Sequence, residues 1–215
     1  MKLNIPVCSF FTFEHSLPPI TDESFLKGSL SGWSDANRLP DLMGLDNKTA
    51  YADVYVGWND DGIYLGVDAK GAPGLEVQPK RPLKGDGIQI WLDTRDVREA
   101  HRASRFCHHF FFLPTGGRSD GPLAGQVHIR RARAQDKPCE PQNITVSSRI
   151  TKKGYRLSAF LPADILTGFE PDDNNRFGFT YLIRDRRLGR QYWTADEPLP
   201  VAYDPSLWGT IVLDG

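Results

Sequence analysis

Three side chains at alternate positions, Gln89, Trp91 and Asp93, carry the first recognisable chemistry in this sequence. A carboxylate accepts hydrogen bonds, an amide gives and accepts them, and an indole ring offers a large flat apolar face. Together they could hold a ligand with an apolar face and a rim of hydroxyls, as a sugar has. Gln126, His128 and Arg130 repeat the polar part of this pattern at the same spacing. If both sets lie on one concave sheet, they line a polar groove. The same face could instead be covered by the N-terminal segment and the loops, with Trp91 in a second small core, because an exposed tryptophan on a sheet is uncommon. The sequence leaves both readings open.

Other residue types invite other chemistries. Cys107 and His109 could share a metal ion, with His101 reaching from a loop, whereas the adjacent His108 and His109 point to opposite faces of a strand. The three do not have a standard zinc spacing, so polar strand residues are the better reading. Asp60, Asp61, Asp172, Asp173 and Asn174 offer oxygens for calcium, but they lie in turn-forming stretches where acidic residues are expected anyway. Asp86, Asp93, Asp185 and Asp196 could supply the carboxylate pair of a glycoside hydrolase. Asp86 at a strand start and Asp185 at a strand end read better as turn fasteners that accept backbone N–H groups. No nucleophile elbow, paired-histidine zinc motif, phosphate loop or dinucleotide fingerprint occurs. Arg184, Arg186, Arg187 and Arg190 form one basic cluster, and Arg130, Arg131 and Arg133 another. With few interleaved aromatics and a formal net charge of −1, these read as solvated or ion-paired surface, and nucleic acid is not an expected partner.

These residues need elements to position them. The 215 residues are 40% hydrophobic and 25% charged, ordinary for a soluble globular chain. No apolar run is long enough to span a membrane. The start, Met1 to Pro6, lacks the apolar core of a signal peptide, which favours the cytoplasm unless a leader has been removed. Cys8, Cys107 and Cys139 are widely spaced and odd in number, so no disulfide is expected. Val54, Val56 and Trp58, then Asn59-Asp60-Asp61-Gly62, then Ile63, Leu65 and Val67 predict a hairpin. Ile88, Ile90 and Leu92 alternate with Gln89, Trp91 and Asp93, giving a central strand with one apolar face. Further strands are predicted at Val7–Phe13 on an edge, Phe106–Leu113, Val127–Arg131, Ile144–Ile150, Tyr155–Leu161, Phe177–Arg184 and Leu207–Leu213. Pro162 to Leu166 reads as one short helix. About nine or ten short strands predict an all-β, antiparallel, jelly-roll-like β-sandwich. It forms a single domain, with an irregular wrapping segment over 1–48, Trp33 plugging one end of the core, and the sandwich over 49–215.

In order, Val54 to Leu65, Gly85 to Asp93, Gly154 to Pro162, Phe177 to Asp185 and Asp204 to Leu213 resemble the motifs of family 9 carbohydrate-binding modules, a group related to the DOMON-like sandwiches. Pro19-Ile20-Thr21-Asp22 followed by Trp33 is similar to the family's opening motif. The resemblance implies a β-sandwich that binds sugars between two tryptophans, with bound calcium as structural support. Trp193, in Gln191 to Asp196, matches the second tryptophan. Leu83 stands where the first is expected, and Gln89 where the family has an acidic residue. Both departures remove parts of the sugar clamp.

The expectation is therefore a non-catalytic carbohydrate-binding domain for a sugar, a related polyol or an anionic sugar. Its candidate site residues are Trp193, Trp91, Arg184 and Asp185, with Gln89 and His128 beside them. No cofactor is expected, and calcium enters only through the resemblance. A structural or protein-interaction sandwich with no sugar ligand is the alternative, and a hydrolase using an acidic pair ranks last.

Overall fold

The computed structural model of the protein describes residues 5–21, 33–71 and 74–215. Asp22, part of the opening motif, lies outside the described residues. Two sheets face each other. In the smaller, β2 (Ala52–Asn59), β3 (Gly62–Lys70), β7 (Thr145–Thr151) and β8 (Gly154–Pro162) follow the order β2-β3-β8-β7. The β2–β3 hairpin pairs Val54 with Val67, Val56 with Leu65 and Asn59 with Gly62. Gly62 has φ of +148°, and a Cβ there would lie 2.1 Å from the Leu161 carbonyl oxygen on β8. Only glycine allows the turn and the neighbouring strand to come this close.

The larger sheet contains β1 (Glu14–Leu17), β4 (Gly87–Asp93), β5 (Cys107–Leu113), β6 (Leu123–Gln126), β9 (Arg176–Asp185), β10 (Gly189–Tyr192) and β11 (Gly209–Leu213). Its order is β1-β11-β9-β4-β5-β6, and β10 also pairs with β9. β11 occupies the first half of one β9 edge, opposite residues 176–179, and β10 occupies the second half, opposite residues 182–185. β4 takes the other edge, from Gly87 against Arg184 to Asp93 against Gly178. The pairing is antiparallel except that β1 runs parallel to β11.

Alternation decides what each face does. Ile88, Ile90, Leu92, Phe110, Phe112, Phe179 and Ile183 pack between the sheets with Val54, Val56, Leu65, Val67, Leu157 and Leu161. Each such side chain contributes about 1.5–3 kcal/mol by leaving water. The outer face of the large sheet is not left to solvent. Trp91, Cys107, Leu182 and Tyr192 meet Cys8, Met43, Ala103, Ile129, Val201 and Trp208 in a second core. Of the two sequence readings of Gln89–Trp91–Asp93, the covered face is the observed one.

Several expectations need correction. Val7–Phe10 is a 3-10 turn that delivers Cys8 to the second core. The edge strand starts later, at Glu14, and stops at Leu17 because Pro18 has no N–H to continue the ladder. Val127–Arg131 is not a strand. The ladder ends at Gln126, whose amide donates to Asp136 and to the Lys137 carbonyl oxygen, and Arg131 takes φ of +62°. Ala163–Ile165 is a 3-10 turn, not an α-helix. Trp33 does not plug an end of the core. It packs on the outer face of the small sheet, beside Tyr55 and over Gly66. The three cysteines are free thiols. Among the described residues no helix is long and apolar enough to cross a membrane.

Candidate functional site

A cleft of about 400 Å³ opens where β4 begins and β9 ends. One wall is the stretch before β4, including Glu76, Gln78 and Lys84. The other is the β9–β10 hairpin, including Arg184, Asp185 and Arg190. Asp86 fastens the two walls. One of its oxygens accepts the Glu76 backbone N–H and the other accepts the Arg186 N–H, each at 2.7 Å. Burial pushes the Asp86 carboxyl above its ordinary value, against the pull of the Arg186 N–H. Asp185 Oδ1 accepts the N–H groups of Arg187 and Leu188 at 2.8 and 2.9 Å, which shapes the turn into Gly189 (φ +92°). Both carboxylates are turn fasteners, as their places at strand ends imply.

β10 is held on both faces. The Gln191 amide, between the sheets, accepts from the N–H groups of Tyr51 and Ala52 and donates to the Ala52 carbonyl oxygen and the Tyr181 hydroxyl. Tyr192, on the outer face, donates its hydroxyl to Asp46 at 2.7 Å and accepts from Lys48 Nζ at 2.9 Å. With β10 fixed in this way, Arg190 stands directly opposite Arg184. Like charges in that position repel, and the two arginines differ in how this is relieved. Arg190 donates to Glu197 at 2.6 Å and lies 3.1 Å from Asp196. Burial alone would lower its pKa, but these two carboxylates outweigh that and raise it. The bond from Arg190 in turn holds Glu197 below its ordinary value. Arg184, half-buried, makes no ion pair within the described residues, and its Nε is buried without an acceptor.

The structure scatters the candidate site residues. Arg184 and Asp185 both line the cleft, although adjacency on a strand predicts that only one would. The strand ends here, and the turn brings Asp185 back into the wall. Trp193 is fully buried between the sheets, its ring 5.9 Å from Phe179. It shares the inward face of Gln191, so the expectation that it walls a pocket is corrected by its alternation. Trp91 is equally sealed, stacked on His109 at 4.4 Å and 18°. Gln89 is buried beside it, with its Oε1 3.2 Å from His109 Nε2. His128 is exposed on the loop after β6, 3.9 Å from Asp136. Leu83 is half-exposed and does not line the cleft.

The metal candidates do not converge either. His101 contacts Ser206 and Asp204, Cys107 bonds Ser104, and His109 lies against Trp91. Asn174 spends its amide on the carbonyl oxygens of Thr94 and Arg176. Among the described residues no group of three or more histidine, cysteine, aspartate or glutamate side chains could hold an ion. The carboxylates proposed as an acidic pair are also committed. Asp93 accepts the N–H groups of Arg95 and Val97, and Asp196 faces Arg190.

Sequence reasoning missed Lys84, Glu76, Gln78 and Arg190 as lining residues. The signal was present in the arginine cluster over 184–190 and in Lys84 beside the central strand. What joins them is the tertiary register of β4 on β9.

No protein-family model matches the chain, and a search of curated proteins finds no match. Solved structures do resemble it. A family 9 carbohydrate-binding module from Caldicellulosiruptor kristjanssonii, in complex with cellotriose, superposes with a TM-score of 0.63 at 16% identity, covering 94% of each chain. The same kind of module in complex with glucose gives 0.62, also at 16% identity, over 94% of this chain and 96% of the other. A Bacteroides uniformis protein proposed to bind carbohydrate gives 0.55 at 9% identity, over 94% and 99%. The chain therefore has the β-sandwich fold of the family 9 carbohydrate-binding modules, in a divergent sequence.

Proposed function

We propose that the chain is a carbohydrate-binding domain without catalytic activity of its own, and that the cleft between Lys84 and Arg184 is its ligand site. The observation that carries this reading is an open polar cleft, fastened by Asp86, on the fold of modules seen with cellotriose and glucose. Donors and acceptors suited to hydroxyl groups line it, including Gln78 and the main chain of Gly85 and Gly189. The non-catalytic part of the reading is supported by Asp86, Asp93, Asp185 and Asp196, the four candidates for an acidic pair, since each is bound to backbone N–H groups or to an arginine. A glycosidase needs a carboxylic acid and a free carboxylate facing one bond.

A second reading, a protein-interaction sandwich, is favoured by Phe10 and Phe11, which are 71% and 58% exposed. An array of neutral and acidic oligosaccharides, followed by calorimetry on the hits, separates the two. The carbohydrate reading expects saturable binding with a Kd of about 1 mM or tighter, competed by the free sugar. No heat with any sugar rejects it and leaves the interaction reading.

A further inference from the structure

We infer that the ligand is an acidic oligosaccharide lying across this end of the sandwich, with its first acidic group against Arg184 and Lys84. The inference rests on the carbohydrate reading of the cleft and narrows it to one ligand class.

The lining of the cleft argues against neutral sugar recognition. Among the described residues no aromatic side chain lines it, so none of them offers a ring to pack on the apolar face of a pyranose. Binding must then come from hydrogen bonds and charge. Its acidic side chains are already engaged. Asp86 and Asp185 accept backbone N–H groups, and Glu76 is paired with Arg186. Arg190 is taken by Asp196 and Glu197. Arg184 and the exposed Lys84 have no such partner within the described residues. Glu197 lies near enough to feel both cations, but its hydrogen bond goes to Arg190.

The charge pattern continues beyond the cleft. Asp185 also lines a shallow depression that runs to Lys70 and Tyr155. Those two in turn line a larger one, about 420 Å³, against the β7–β8 hairpin. There Arg149 and Arg156 stand directly opposite each other. Arg156 is paired with Asp68 at 3.2 Å, and Arg149 has no ion pair within the described residues. The arrangement of Arg184 and Arg190 is thus repeated: two arginines face each other, one neutralised and one not. Across the three adjoining depressions, eight basic side chains stand against four acidic ones. Three further acids just outside these linings, Asp53, Asp196 and Glu197, pair with Lys70 and Arg190, so the basic character of this end rests on the cations without an ion pair within the described residues: Lys84, Arg149, Lys153 and Arg184. An anion opposite each unpaired arginine would relieve the like-charge contact. A guanidinium suits a carboxylate or a sulfate ester equally well, so uronic acids and sulfated sugars share the required chemistry. The cleft is far larger than one such group, and the Gln78 amide on its wall is suited to hydroxyls.

The test compares matched ligands by calorimetry at low and at raised salt: an oligogalacturonate against its neutral methyl ester, and a sulfated oligosaccharide against its desulfated form. The expected result is that one acidic form binds about tenfold or more tighter than its neutral partner, with affinity falling as salt rises. Whichever pair shows the difference identifies the acidic group. Arg184→Gln and Lys84→Gln should each lose most of that preference while keeping the thermal midpoint, because neither residue carries an ion pair within the described residues. Arg149→Gln should weaken a long acidic oligosaccharide and leave a single uronic acid unaffected. Neutral and acidic forms binding alike would overturn the inference and leave the carbohydrate reading standing. No binding by any sugar, or equal competition by inorganic sulfate alone, would overturn both.

Discussion

Two neighbouring regions on the outer face of the large sheet are built by the same strands and end in opposite states. Around Trp91, Leu182 and Tyr192 the face is sealed under Cys8, Met43, Val201 and Trp208. A few residues further along, at Arg184 and Arg190, it is open and polar. Strand alternation is the same in both. What differs is the covering chain, which is tied down as far as Tyr192 by Asp46 and Lys48. Periodicity therefore tells which side chains share a face, and segments distant in sequence decide whether that face meets water. A charged cleft at the rim therefore adjoins an aromatic interior.

The largest expected effect is in the sealed region. Trp91→Ala should cost about 3–5 kcal/mol, the range for emptying a buried aromatic site, and should leave sugar affinity of the folded fraction unchanged. Urea denaturation with calorimetry below the transition measures both. A stable variant that has lost binding would erase the contrast between the regions. At the open region, Asp86→Ala should cost about 1–3 kcal/mol, because two part-buried hydrogen bonds from backbone N–H groups to a carboxylate are lost. Hydrogen exchange should accelerate at the Glu76 and Arg186 amides, while protection there unchanged from wild type would mean that Asp86 does not hold the cleft walls together. At the boundary, Tyr192→Phe should cost about 0.5–1.5 kcal/mol and loosen the segment carrying Asp46. The smallest effect concerns pH. Glu197 has its pKa lowered by the bond from Arg190, so its contribution is fully present above the ordinary glutamate value and is lost as pH falls through the lowered one. The side chain is 72% exposed, so solvent screens most of this. Thermal midpoints of wild type and Glu197→Gln should differ slightly at neutral pH and converge in acid, and a gap that widens in acid would mean the sign is wrong.

Much of the fold was legible in the residues. Asn59 to Gly62 marked the hairpin, and Ile88, Ile90 and Leu92 marked the inner face of β4, because both signals are local. The all-β sandwich and its likeness to family 9 modules followed from the order of such local motifs. The strand expected at Val127–Arg131 failed because its alternation is imitated by a loop that Gln126 pins to Asp136 and Lys137. The candidate site was legible only in part. Arg184 and Asp185 do line the cleft, whereas Trp193 was assigned by motif position and its place on the inward face with Gln191 buries it. Whether Trp91 and Gln89 were wet depended on residues 8, 43 and 201, which no spacing near residue 90 could reveal. The unpaired state of Arg184 depends on where Asp196 and Glu197 end up.

The central claim is that the ligand site is the rim cleft and not the tryptophan positions. Amide-resolved NMR during titration with an acidic oligosaccharide tests it most directly. The account predicts saturating shifts at Lys84, Gly85 and the backbone from Arg184 to Arg190, with the indole N–H signals of Trp91 and Trp193 unmoved. Shifts centred on those two indoles, with the cleft amides silent, would contradict it.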